Sequence, residues 1–483
     1  MLSLVPSSLR RLTPDPSLLT PAAACVVALL SAGCSWSRYD DVVQNSPIVL
    51  LNRPKQLSDG FGTSLATARV GDDVTLLVGG VPLTSGGAEF ALGTADSPTI
   101  EARDTGHCMG SDAPCYFSSS PVALARAQGP DKKPEDLCFV DGAGTAGGDT
   151  GIALRCVDNV EYALDIPAVA QKLLTFSIDN AQPTEFRFGA DRGPDPAFLA
   201  TANEESAVWY YPSLSKRFVD IPNTAPLPGA AAANGKWERL DPARSEVRTL
   251  AVARIGSDSR LLAVGTPHEG SVRLFFAADG VTPTYIGCLG GTSGFGRAFA
   301  AGPVVAGDQD DELVISDDSI VYVFDAAKLA TLAPTAGTDC SLGSLPDGSL
   351  VTSFSCGSTK NISDCDSSEF GAALAVGDLD GDGDGEVVVG APSMTVRHKS
   401  RAGALIIYDV DPPKAGSMDQ LYDFKDIAFL SSAEADDQLG RSIALPDLGD
   451  RQLLVAGAPG GGKTALFYCP SFLPPELAGE RCK

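Results

Sequence analysis

Five carboxylates crowd into the run Asp378-Leu379-Asp380-Gly381-Asp382-Gly383-Asp384-Gly385-Glu386, at every second position. Alternation lets side chains converge on one point, and Gly383 permits the sharp bend this requires. Hard oxygen donors in a flexible turn suit Ca²⁺. The expected ligands are the side chains of Asp378, Asp380, Asp382 and Glu386, with Asp384 contributing its backbone carbonyl. Five acidic groups so close repel one another unless a cation neutralises them, so the metal's first role is structural. An EF-hand would need Glu at the twelfth loop position, which here is Val389. Two other acidic stretches, Asp308-Gln309-Asp310-Asp311 and Asp447-Leu448-Gly449-Asp450, are too short or too sparse for the same job. One site is expected.

Other chemistry is thin. The only histidines are His107, His268 and His398, and none sits in a nucleophile or metal motif. Neither a G-x-S-x-G elbow nor an H-E-x-x-H pair is present, so the expectation is a non-enzymatic protein. Gly457-Ala458-Pro459-Gly460-Gly461-Gly462-Lys463-Thr464 spells a phosphate-binding loop, but such a loop must open a helix. Here Ala465-Leu466-Phe467-Tyr468 and Pro470 follow, so no nucleotide is expected. The net charge of −25 repels phosphate backbones and excludes a nucleic-acid partner. Against that charge stands one basic run, Arg397-His398-Lys399-Ser400-Arg401, which could meet an acidic ligand or be a solvated loop.

The elements that must hold the acidic loop are short strands. Gly (51) and Pro (34) are frequent, and short Val/Leu/Ile/Ala runs alternate with turn residues. Around the loop the order is Phe370-Gly371, a strand to Gly377, the acidic turn, a strand to Gly390-Ala391-Pro392, and a third strand at Gly403–Tyr408. The skeleton recurs from Leu439-Gly440 to Gly457-Ala458-Pro459, from Phe295-Gly296, from Val247, and from Phe61-Gly62. Fainter copies begin near Phe117, with strands around Ile152–Cys156 and Glu161–Leu164, and near Phe188-Gly189. That makes seven units, or six if the two faint ones are one. Each unit has too few strands to bury its own apolar faces, and packing such sheets in a ring covers both faces. The fold expected is an all-β propeller. Pro470, Pro474 and Pro475 forbid a fourth strand in the last unit. The apolar Ile48-Val49-Leu50-Leu51, which has no unit of its own, is expected to supply it and close the ring beside Ala465–Tyr468.

The residues Phe370-Gly371, Asp378–Glu386 and Gly390-Ala391-Pro392, echoed at Gly457-Ala458-Pro459 and Phe295-Gly296, resemble the FG-GAP repeat of integrin α-subunit propellers. The resemblance extends roughly from Phe61 to Tyr468. It implies a calcium-binding propeller used for binding or adhesion, with a protein or glycan as ligand and its loops on a rigid scaffold. A structural role in an envelope complex, or a hydrolase built on a propeller, are the alternatives.

The amino-terminal segment, residues 1–33, carries Arg10 and Arg11, an apolar stretch from Leu18 to Leu30, and Ser31-Ala32-Gly33 before Cys34. This pattern describes a secretory signal, too short and broken to span a membrane. Small residues before a cysteine resemble a bacterial lipobox, with Cys34 as the acylated residue. A lipid anchor in the outer membrane, on its periplasmic or cell-surface side, is then the only membrane attachment expected. Residues 34–46 read as a linker, 47–470 as the propeller and 471–483 as a tail. Beyond Cys25 and Cys34, ten cysteines lack any C-x-x-C pair, so disulfides in an oxidising compartment are expected. Neighbour pairing would join 108–115, 138–156, 288–340, 356–365 and 469–482.

Overall fold

The computed structural model describes the strands between residues 48 and 467 and, from 249 onward, most of the loops between them. The chain divides into two compact units, Met1–Asn45 and Ser46–Lys483. The first unit lies outside the described residues, and so do the signal segment, Cys34, the linker as far as residue 47 and the tail after 467.

The described strands form seven four-stranded antiparallel sheets, and the architecture is an all-β propeller. In chain order of their first strands, sheet 1 begins with Ser64–Val70, sheet 2 with Leu124–Ala127 and sheet 3 with Phe186–Ala190. Sheet 4 begins with Thr249–Ile255, sheet 5 with Phe299–Gly302, sheet 6 with Ala373–Gly377 and sheet 7 with Ile443–Ala444. Within each, consecutive strands pair as hairpins. First strands of neighbouring sheets touch from sheet 3 through 4, 5, 6 and 7, and then from sheet 7 to sheet 1 and from sheet 1 to sheet 2. Sheet 7 takes its fourth strand from the other end of the unit. Ile48–Asn52 lies antiparallel to Lys463–Phe467, with Ile48 opposite Phe467 and Asn52 opposite Lys463.

The second strands of sheets 4 to 7 are buried along most of their length because a sheet packs on each side. Glu386–Ala391 is buried throughout. Val387 and Val389, two residues apart and so on one face, share a cluster with Val314, Val321 and Val323 of sheet 5. Tyr408 of sheet 6 stacks on Phe354 of sheet 5, with ring centroids 4.3 Å apart. Each fully buried side chain of this kind contributes about 1.5–3 kcal/mol.

The turn entering each well-marked sheet repeats one backbone form. Residues 60 and 62, 294 and 296, 369 and 371, and 438 and 440 all have positive φ. Glycine takes that conformation freely, but Glu369 and Gln438 do so under strain. The Phe or Leu between them (Phe61, Phe295, Phe370, Leu439) is buried. The Phe188-Gly189 pair is different. It lies inside the strand Phe186–Ala190 rather than before it, so that repeat starts earlier than its letters suggest. Phe117 and the strand expected at Glu161–Leu164 lie outside the described residues.

Disulfides join Cys288 to Cys340 and Cys356 to Cys365, two of the neighbour pairs. Cys138 and Cys156 are register partners on adjacent strands, while Cys108, Cys115, Cys469 and Cys482 lie outside the described residues.

Candidate metal centre

The acidic run closes the hairpin between Ala373–Gly377 and Glu386–Ala391, where Gly377 pairs with Glu386. Gly381 and Gly383 have φ of +86° and +102°, which bends the loop back on itself. Aspartates fold such turns by accepting hydrogen bonds from amides a few residues on. Asp378 accepts from the Gly381 and Gly383 amides at 2.5 and 3.2 Å. Asp380 accepts from the Asp382 amide at 3.1 Å, and Asp382 from the Asp384 amide at 3.2 Å.

This folding brings the side chains of Asp378, Asp380 and Asp382 together, each offering a carboxylate oxygen within 4.8 Å of the others. Asp384 stands outside that triad, tied to it by its amide. Glu386 is buried at the base of the loop. Its Oε2 accepts from the Leu379 amide at 2.6 Å. None of the five carboxylates pairs with a lysine or arginine among the described residues.

The electrostatic cost of that arrangement appears as proton affinity. Burial, then repulsion from Asp382, raises Asp380 to about 6. Burial, then a hydrogen bond shared with Asp382, raises Asp384 to about 7. Burial dominates at Glu386 and pushes it to about 9, with Asp380, Asp378 and Asp382 adding to the effect. Asp378 is raised mainly by burial, whereas Asp382 is lowered by the hydrogen bond from Asp384. Convergent hard oxygens with no positive side chain paired to them among the described residues fit a divalent cation of the calcium type.

Several residues around the site were not marked by the sequence pattern. Gly377 leaves no room for a side chain against the carboxamide oxygen of Gln452, an oxygen that is buried without a hydrogen-bond partner. Sheet 5 has the same base as sheet 6. There Glu312, opposite Gly302, accepts from the Val304 and Val305 amides at 2.6 and 3.1 Å. A signal was available, since both glutamates open a second strand opposite a glycine. Asp310 and Asp311 of that loop face sheet 4 instead, accepting from the Gly256 amide at 2.6 Å and the Arg254 amide at 2.8 Å. Asp308 lies outside the described residues.

In the stretch that spells a phosphate loop, Pro459–Gly461 forms one 3₁₀ turn and Lys463 begins a strand, with its ammonium 3.4 Å from Asp437. The basic run forms a turn in which Arg397 and His398 both have positive φ, bracketed by paired bonds between Val396 and Lys399. Lys399 and Arg401 lie 3.9 Å from Glu434 and Asp436, so acidic neighbours offset part of its charge.

The family model of the FG-GAP repeat matches residues 370–408, from the Phe370-Gly371 turn to Tyr408 in the third strand of sheet 6. Sheet 6 is thus an FG-GAP repeat. With the sheets around it, it is consistent with an integrin α-like propeller. No curated protein matches the chain.

Proposed function

We propose that this chain is an exported, non-enzymatic calcium-binding propeller. It presents its loops to a protein or glycan ligand while lipid on Cys34 holds it to the bacterial outer membrane. The observation that carries the reading is the carboxylate triad of Asp378, Asp380 and Asp382 on an FG-GAP repeat, with no basic side chain paired to it among the described residues. Asp378, Asp380, Asp382 and Glu386 would hold the cation by their side chains, and Asp384 by its carbonyl. Bound calcium supplies positive charge that lets these carboxylates ionise together. The residues themselves fold the loop and keep its oxygens convergent. FG-GAP propellers as a class serve adhesion and binding, and the absence of a nucleophile–base motif from the sequence agrees with that use.

Equilibrium dialysis followed by metal analysis tests the site. A single calcium retained by the full chain and lost from Asp380→Ala is the expected result; no retained calcium overturns it. Fractionation tests the anchor. Cys34→Ser should move the protein from the membrane to the soluble fraction, and a variant that stays with the membrane refutes lipid attachment there.

A further inference from the structure

We infer that the metal loop of sheet 6 is one end of a brace across successive hairpins, so that cation binding there also orders the first hairpin loops of sheets 5 and 4. The inference rests on the calcium reading above and extends it beyond the site.

The brace is made of two close contacts. At the first, a Cβ added to Gly385 would lie 2.5 Å from the Pro303 carbonyl oxygen, so the metal loop presses its bare backbone on the loop of sheet 5. The next residue, Val304, is buried in one apolar cluster with Val376 and Val387, the strands that carry the metal loop. Glu312 holds the start of this sheet 5 loop through the Val304 and Val305 amides. At the second contact, the two residues before Glu312 reach sheet 4. Asp311 accepts from the Arg254 amide at 2.8 Å and returns its own amide to the Arg254 carbonyl at 2.9 Å. Its carboxylate also lies 3.8 Å from Arg254 Nε, and Asp310 accepts from the Gly256 amide. Asp311 is 2% exposed. These bonds fasten the Arg254–Gly256 end of the sheet 4 hairpin.

Close-packed contacts transmit a loss of freedom from one segment to the next. The metal loop crowds five carboxylates, so it opens most readily when no cation neutralises them. Each opening removes the support under Pro303 and Val304, and through Glu312, Asp311 and Asp310 the support under Arg254 and Gly256. A cation that suppresses the opening lowers the cost of ordering the neighbours, a coupling that needs no change of fold.

Hydrogen exchange read by mass spectrometry on the full chain, with calcium or with chelator, tests this. Calcium should slow exchange in peptides covering residues 378–386, 299–312 and 250–262, by about fivefold or more at the first and progressively less along the series. In the Asp310→Ala, Asp311→Ala double variant the slowing at 299–312 should persist while that at 250–262 disappears. Asp310→Ala alone, which spares the buried Asp311, should weaken it if the double variant does not fold. Slowing confined to 378–386 refutes the brace and leaves the metal site standing. Equal slowing in sheet 1, at 64–79, also refutes it, because that marks uniform stabilisation. No slowing anywhere, with no calcium retained on dialysis, removes the metal reading itself and the brace with it.

Discussion

Two hairpins of this molecule share a frame and use it differently. In sheets 5 and 6 a glycine at the end of the first strand, Gly302 or Gly377, faces a buried glutamate, Glu312 or Glu386. In both, that glutamate accepts a 2.6 Å bond from the second residue after the glycine, Val304 or Leu379. The loops then part. In sheet 6 aspartates fall at every second position, and the side chains of Asp378, Asp380 and Asp382 converge on a common point. In sheet 5 valines follow the first turn, and the remaining aspartates turn outward to cap the hairpin of sheet 4. The glutamate is therefore a fixture of the hairpin, while the spacing of the aspartates decides between gathering a cation and gripping a neighbour.

Calcium should separate the two loops most sharply. At a hundredfold excess over its dissociation constant it should stabilise the fold by about 2.7 kcal/mol, read as a rise in melting temperature over the chelated protein. Asp380→Ala should abolish that rise. Asp311→Ala should cost about 1–3 kcal/mol, because it leaves the part-buried Arg254 amide without its side-chain acceptor, yet preserve the calcium shift. If both variants lose the shift alike, the two loops are not distinct in function.

A smaller effect follows from proton affinity. Glu386, Asp384 and Asp380, raised to about 9, 7 and 6, keep protons in the folded chain that the unfolded chain releases near pH 4. The folded state then binds more protons, so stability in chelator falls as pH rises from about 4 to 9. Asp382, shifted downward, acts in the opposite sense only below that window. Calcium competes with those protons, so its stabilising effect should grow with pH over the same range. Melting in chelator at pH 5, 7 and 9 checks the sign, and Glu386→Gln should flatten the slope. Stability that stays level or climbs with pH would show that the folded chain does not hold these carboxylates protonated.

The comparison also marks what a sequence can disclose. The ladder of aspartates was readable because its ligands are close in the chain, and the Phe370-Gly371 and Gly390-Ala391-Pro392 frames because their backbones demand particular residues. The apolar Ile48–Leu51 stood out through its lack of any unit to join. What was not readable depends on neighbours distant in sequence. Nothing in Asp310-Asp311 announces that they cap Arg254 and Gly256, and nothing in Gly385 announces Pro303, since packing between sheets decides both. The Phe188-Gly189 pair marked the place of a unit but not its register, as the dipeptide is a turn elsewhere and part of a strand here.

The finest difference lies at the seams between sheets, and it yields the smallest expected effect. The carbonyl of the turn glycine in one sheet is met by a hydroxyl of the sheet before it. Thr249 of sheet 4 donates to Gly296, Ser316 of sheet 5 to Gly371 at 2.8 Å, and Ser442 of sheet 7 to Gly62 at 2.7 Å. Thr249 and Ser442 occupy the inner strand side opposite Gly265 and Gly457. In sheet 5 the pair is exchanged, with Ala298 inside and Ser316 opposite, and the hydrogen bond survives. At the seam from sheet 6 to sheet 7 both positions are mute: Ala373 faces Gly390, and the Gly440 carbonyl presses against Gly390 with no hydroxyl from either. Ala373 stands where Thr249 and Ser442 stand, so Ala373→Ser should reach the Gly440 carbonyl and raise stability by about 0.5–1.5 kcal/mol, the net value of one hydrogen bond. Ser442→Ala should lower it by a similar amount at the seam from sheet 7 to sheet 1. Thermal melts of the two variants in calcium decide the matter. An unchanged midpoint for Ala373→Ser, beside a loss for Ser442→Ala, would mean that solvent already satisfies the Gly440 carbonyl and that this seam differs from its neighbours in hydration as well as sequence.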